Sequence, residues 1–302
     1  MARTNLVSII AMDCHLFPKR PTTSVSGYIL LWDEDDQRGH WATMAPFDLR
    51  SFKGIFFDIY ATLIDWESGI YPQLLKLSQK LPAGDPRRDD TPETRKTLLQ
   101  MYAANEKIVE HDNPTLAYPK ILESVYDRIA AALGVPDAAN DADRVAFGKS
   151  IGEWPAFPDT VEAMKVLAKH YKLFVLSNVD NESFGRTLAG PLKGVHWDGI
   201  YTAEQIGSYK PNPRNYEYVV NKLKTDFGIS KDETLMVAQN LDIDHASAKA
   251  LGFRPAVWIA RYAGNAAMGG DREELEAKGL IDLGAAYETL GEMAEAVERA
   301  FA

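Results

Sequence analysis

The sequence predicts an α/β fold: a doubly wound parallel sheet, a Rossmannoid core, with a helical cap inserted after the first core strand. Three observations predict it. After residue 156, short apolar runs alternate with stretches of helical period, the pattern of a parallel sheet with crossover helices. Several of those runs end abruptly on polar residues suited to chemistry. Between the first such run and residue 156, strand signals are few and helical periodicity dominates.

Residues 1–50 fit this pattern poorly. They mix an apolar patch, Pro18, Pro21, a Ser/Thr cluster and the acidic run Asp33 to Asp36, with one strand expected at Tyr28 to Trp32. The segment is expected to be an N-terminal extension, disordered or artefactual, with Met44 as an alternative start. Gly54-Ile55-Phe56-Phe57 reads as a short buried strand, and Asp58 falls where it leaves the sheet. Residues 67–156 read as the cap. Within it Leu98, Leu99, Tyr102, Ile108 and Val109 mark one amphipathic helix. Leu122, Val125, Tyr126, Ile129 and Leu133 mark a second, ended by Gly134-Val135-Pro136.

Residues 51–66 and 157–302 then form the core. Asp159 and Glu162 have the spacing of a capping box before Met164 and Leu167. Leu173 to Leu176 is a strand ending on Ser177-Asn178, and a shorter one near Gly199 to Tyr201 precedes Lys210. Asn212-Pro213 opens a helix carrying Tyr216, Val219, Val220 and Leu223. Leu235 to Ala238 is a strand, followed by Asp242, Asp244 and a helix ending at Gly252; Ala256 to Ile259 is the next strand. A closing helix is expected from about Tyr287 to Phe301.

A chain of 302 residues can bury a substantial core in one large or two modest domains. The formal charge of −10 is the wrong sign for a nucleic-acid surface. Cys14 is the only cysteine, so an intrachain disulfide and a cysteine-based metal cage are excluded. No run approaches the length of a membrane helix, and a cytoplasmic protein is expected. His15, His40, His111, His170 and His196 show no metal-ligand spacing.

Taken singly, Ser177-Asn178 is a turn pair, Lys210 a surface lysine and Asp244 a helix cap. A parallel sheet gathers its carboxyl ends on one rim, where ligands bind. Jointly with Asp58 and Thr62 they describe one site. A strand-terminal carboxylate can act there as a covalent nucleophile. His245, beside Asp244, reads as a helix-surface residue.

The order and wording of these segments resemble the haloacid dehalogenase-like hydrolase superfamily, and within it the type II 2-haloacid dehalogenase branch. Phe57-Asp58-Ile59-Tyr60-Ala61-Thr62-Leu63 is similar to the first motif, with Ala61 where the branch usually has glycine. Leu176-Ser177-Asn178 is similar to the second. Tyr209-Lys210-Pro211, with Tyr216 six residues after the lysine, is similar to the third, and Val237 to Gly252 to the fourth.

The resemblance implies an (S)-2-haloacid dehalogenase-like hydrolase acting on a small anionic organic substrate through an aspartyl ester. Asp58 is the implied nucleophile, Lys210 its charge partner and Asp244 the group that activates water. Tyr60, Thr62, Ser177, Asn178 and Tyr216 are the implied substrate-site residues. No cofactor or metal is implied, and a homodimer is compatible with the resemblance. The branch usually places a halide-binding arginine on the first cap helix; here Gln100 or its neighbours stand there, with Arg95, Lys96 and Lys107 nearby. A magnesium-dependent phosphatase is the alternative within the superfamily. It normally has a second acid two residues after the nucleophile and another four before Asp244; Tyr60 and Asn240 occupy those places. A catalytically silent binding protein on the same fold is the third reading.

Overall fold

The computed structural model describes residues 47–138, 140–262 and 267–302, together with the backbone of three strands upstream. Those strands, β1 (Ser24–Val25), β2 (Tyr28–Asp33) and β3 (Arg38–Thr43), form an antiparallel sheet. The strand expected at Tyr28 to Trp32 lies within β2. The remaining expectations for the first 46 residues, Met44 included, lie outside the described residues. The chain divides into two compact units, Met1–Phe47 and Asp48–Ala302.

The larger unit is built on six parallel strands: β4 (Gly54–Phe57), β5 (Lys172–Ser177), β6 (Gly199–Thr202), β7 (Thr234–Ala238), β8 (Ala256–Ile259) and β9 (Leu283–Tyr287). Their spatial order is β6-β5-β4-β7-β8-β9. The chain steps outward from β4 to β6, then crosses to β7 on the other side. This reversal leaves a crevice at the carboxyl end of β4. In register, Phe57 lies opposite Val175 and Val237. The strand ends bearing Asp58, Ser177 and the segment before Asp244 are therefore immediate neighbours.

Burial on both faces explains the near-continuous apolar runs. All four residues of β4 are buried. On one face Phe56, Phe174 and Met236 pack against Tyr216, Val219 and Leu223 of the helix Pro213–Phe227. Each such side chain contributes about 2 kcal/mol through burial. Asn212 caps this helix by accepting from the Arg214 amide at 3.0 Å, and Pro213 opens it. The apolar stripe that seats the helix thus also sets Tyr216 under the crevice.

Five α-helices lie between β4 and β5: Trp66–Ser78, Pro92–Asp112, Tyr118–Leu133, Asp141–Lys149 and Thr160–Leu167. Thr91 caps the second, and Gly134, at φ 82°, ends the third. Trp66 stacks on Tyr102 with ring centres 5.3 Å apart. A Cβ on Gly69 would lie 2.3 Å from Trp154 Cγ, so only glycine lets that indole close over the first helix. Among the described residues, no helix is long and apolar enough to cross a membrane.

Four local expectations are corrected. Ile108 is 43% exposed, because the helix Pro92–Asp112 buries Leu98, Leu99, Tyr102, Glu106 and Val109 instead. Asp159 makes no side-chain cap; its carboxylate accepts from Arg261 Nη1 at 2.8 Å and the Gly291 amide at 2.9 Å. Tyr287 ends β9, and the closing helix is Leu290–Phe301, capped by Thr289. His245 is buried: its Nε2–H donates to the Ala238 carbonyl at 3.0 Å, and burial pulls its pKa down to about 4.

Candidate active site

Asp58 leaves β4 with its amide still donating to the Val237 carbonyl, 3.1 Å away. The carboxylate is 9% exposed, and both of its oxygens are engaged. Lys210 Nζ donates to Oδ1 at 2.8 Å, and Thr62 Oγ1 donates to Oδ2 at 2.7 Å. Thr62 in turn accepts from the Gln239 amide at 2.9 Å. Its hydroxyl therefore fixes the carboxylate from behind, and Thr62, fully buried, is not among the residues lining the cavity. Thr62, expected at the substrate site, thus bonds Asp58 itself, the group that would carry an ester.

The turn after Asp58 carries strain. Ala61 adopts φ 78°, the left-handed region that a methyl side chain disfavours. The place where the resembling branch has glycine is one that needs it. Ala61→Gly is expected to stabilise the protein by about 1 kcal/mol, read as a raised midpoint in urea unfolding with an unchanged slope.

Lys210 bridges two acids. Its Nζ also donates to Asp244 Oδ1 at 2.9 Å. Burial alone lowers an ammonium pKa, but the charges of Asp244 and Asp58 outweigh it and hold Lys210 above its ordinary value. Asn178 positions this lysine: its Oδ1 accepts from the Lys210 amide at 2.7 Å and its Nδ2 donates to the Lys210 carbonyl at 3.0 Å. Asp244 is 2% exposed. Burial pushes its pKa up to about 6; Lys210 opposes the rise and Asp58 adds to it. Tyr216 donates to the Ile243 carbonyl at 3.0 Å and approaches Asp244 Oδ1 at 3.4 Å. It supports the Asp244 turn from below and does not line the cavity.

Above these groups lies a cavity of about 80 Å³. Asp58, Tyr60, Ser177, Asn178, Lys210 and Asp244 all line it. The Ser177 hydroxyl is buried and has no hydrogen-bond partner among the described residues, leaving a donor for whatever enters. Tyr60 bonds Thr187 Oγ1 at 2.9 Å and meets Trp154 edge-on. Burial raises its pKa, so its phenol stays neutral.

The opposite wall was not anticipated. It is made by Trp66, Tyr102, Glu106, Glu110, Tyr118 and Trp154. Tyr102, Glu106 and Glu110 recur every four residues along one helix, a stripe visible in the sequence at the spacing of a single face. Both the Tyr102 and Tyr118 hydroxyls donate to Glu106 Oε1. Gln100, Lys96 and Lys107 are exposed, and Arg95 instead sits over the Tyr71 ring near Glu67. Among the described residues lining the cavity, Lys210 is the only basic side chain.

The places where a phosphatase carries further acids are otherwise engaged. Asn240 accepts from the Ile243 amide, and Asp242 is exposed, turned toward Gly270. No three His, Cys, Asp or Glu side chains among the described residues are grouped to hold a metal ion.

The profile of the haloacid dehalogenase-like hydrolases matches residues 52–252. No curated protein sequence matches the chain significantly. Among solved structures, the L-2-haloacid dehalogenase PA0810 aligns with a TM-score of 0.61 at 23% identity, over 82% of this chain and 99% of its own. The defluorinating L-2-haloacid dehalogenase Rha0230 aligns with a TM-score of 0.62 at 15% identity, over 84% and 100%. The L-2-haloacid dehalogenase from Xanthobacter autotrophicus with chloropropionic acid covalently bound aligns with a TM-score of 0.57 at 16% identity, over 82% and 98%.

Proposed function

Because this chain belongs to the haloacid dehalogenase-like hydrolase family, we propose that it hydrolyses a small 2-halocarboxylic acid through an ester on Asp58, without a metal. The observation that carries this reading is the Asp58–Lys210–Asp244 arrangement, with Tyr60 and Asn240 where a phosphatase has acids. Lys210 donates to Asp58 Oδ1 and offsets the negative charge that would repel an incoming carboxylate. A carboxylate oxygen of Asp58 attacks C2; the new C–O bond forms as the carbon–halogen bond breaks, and halide leaves with the bonding pair. Ser177 supplies a hydrogen bond to the substrate carboxylate, and the buried Trp66 indole N–H, without a partner among the described residues, is a donor for the departing halide.

Asp244 then takes a proton from water as that water adds to the Asp58 ester carbonyl. Collapse breaks the bond to the ester oxygen, the proton passes to the leaving 2-hydroxy acid, and Asp58 returns as carboxylate. The first four helices after β4 act as a cap that keeps bulk water out during displacement.

Halide release from 2-chloropropionate, compared with phosphate release from p-nitrophenyl phosphate with and without magnesium, tests the reading. Halide release that ignores magnesium supports it. Magnesium-dependent phosphate release without halide release overturns it. The pH dependence follows from Asp244, which must be ionised to accept a proton. Ester hydrolysis is expected to rise tenfold per pH unit below about 6 and to level off above it. Asp244→Asn removes that limb and lets the ester accumulate, visible as a single stoichiometric burst of halide.

A further inference from the structure

The cap wall of the cavity has the wrong charge for a substrate that is anionic throughout. Four acids line the cavity (Asp58, Asp244, Glu106 and Glu110) against the one ammonium of Lys210 among the described residues. That ammonium is already held by Asp58 and Asp244. Glu106 is 9% exposed, and both tyrosine hydroxyls converge on its Oε1, so among the described residues its Oε2 accepts no hydrogen bond. The Glu110 carboxylate, one helical turn on, makes no hydrogen bond or ion pair among the described residues. Burial raises the pKa of both carboxyls, with Lys210 opposing the rise at Glu110.

Around these carboxylates the wall is aromatic: Trp66, Tyr102, Tyr118 and Trp154. Electron-rich ring faces combined with carboxylates form the usual surroundings of an organic ammonium ion. A buried carboxylate pair with no ligand is a standing electrostatic cost, which an ammonium group placed there would relieve.

We infer that the substrate of the proposed reaction is zwitterionic, a small 2-halocarboxylate whose side chain ends in an ammonium group held by Glu106 and Glu110. This rests on the displacement reading above and adds the specificity of the cap. The carboxylate end meets Ser177 and Lys210 at the sheet rim; the ammonium end reaches across to the cap glutamates and the rings beside them. Glu110 is the specificity residue, since Glu106 is also tied to Tyr102 and Tyr118.

The test compares 4-amino-2-chlorobutanoate with 2-chloropentanoate, in which a methyl group replaces the ammonium. The wild-type enzyme is expected to favour the amino acid by at least ~10-fold in kcat/KM, the gain of one charge-assisted contact. Glu110→Gln abolishes that preference, read as the ratio of kcat/KM for the two compounds on the same variant. Equal rates on both compounds, or a preference that survives Glu110→Gln, overturn the inference and leave the displacement reading intact. Calorimetry with 4-aminobutanoate and pentanoate, neither of which reacts, separates the two ideas further. Tighter binding of the amine, lost in Glu110→Gln, sustains the cation site even if no halide is released. Equal or weaker binding of the amine overturns it even if halide is released.

Discussion

Asp58→Asn is expected to reduce halide release by a factor on the order of 10⁴ or more, the scale seen when a covalent nucleophile is removed. The loss should fall on kcat, with little change in the affinity for a non-reacting carboxylate, because the residues that meet the substrate are otherwise intact. The fold should survive. An asparagine carbonyl can still accept from Lys210 at the position of Oδ1, which now takes that bond at 2.8 Å. Equal activity in this variant would remove the nucleophile from the account. Unfolding of the variant is checked independently by its urea midpoint.

Lys210→Met is the second large effect, and it acts on stability as well as rate. The ammonium is 4% exposed as a residue and is the hydrogen-bond partner shared by two buried carboxylates. Removing one partner of a buried ion pair destabilises by roughly 3–5 kcal/mol, because the remaining charge is left unpaired. Here two charges remain, Asp58 and Asp244, and they repel. Without Lys210, Asp244 loses the charge that opposes its raised pKa, so its carboxyl gains a proton still more readily when folded than when unfolded. Such raised folded-state values give stability that is present in acid and lost as pH rises. The variant is therefore expected to unfold at lower urea concentration at neutral than at acid pH, by a margin larger than in the wild type. A midpoint that matches the wild type at all pH values contradicts the bridging role.

The rim of the sheet was legible because its signals are local. Each of Asp58, Ser177 and Asp244 follows a short apolar run, and a parallel sheet brings all such ends to one side. What the sequence could not show is how each polar group is used. Thr62 and Asn178 look like substrate ligands by motif, yet Thr62 bonds Asp58 and Asn178 clamps the backbone of Lys210. These assignments depend on contacts between residues far apart in the chain.

The cap was legible as helix and not as chemistry. Periodicity marks the apolar face of Pro92–Asp112, but nothing local singles out Glu106 and Glu110, which become cavity wall only when Tyr118 from the next helix meets Glu106. β9 escaped notice for a different reason. Leu283-Gly284-Ala285-Ala286-Tyr287 is an edge strand of small, half-exposed residues and lacks the dense apolar run that marks β4 or β7. His245 misled because its ring turns inward to the Ala238 carbonyl, in a wide π-type turn over Leu241–His245 that departs from the helical spacing assumed for it.

The covalent step is the centre of the account, and a single turnover in heavy-oxygen water tests it most directly. With enzyme in excess over 2-chloropropionate, the Asp58 oxygen becomes the hydroxyl of the product and water replaces it in the carboxylate. Mass spectrometry should find the label in the peptide containing Asp58 and none in the 2-hydroxy acid. Label in the product, with Asp58 unlabelled, would mean that water attacks the substrate directly and would contradict the ester mechanism.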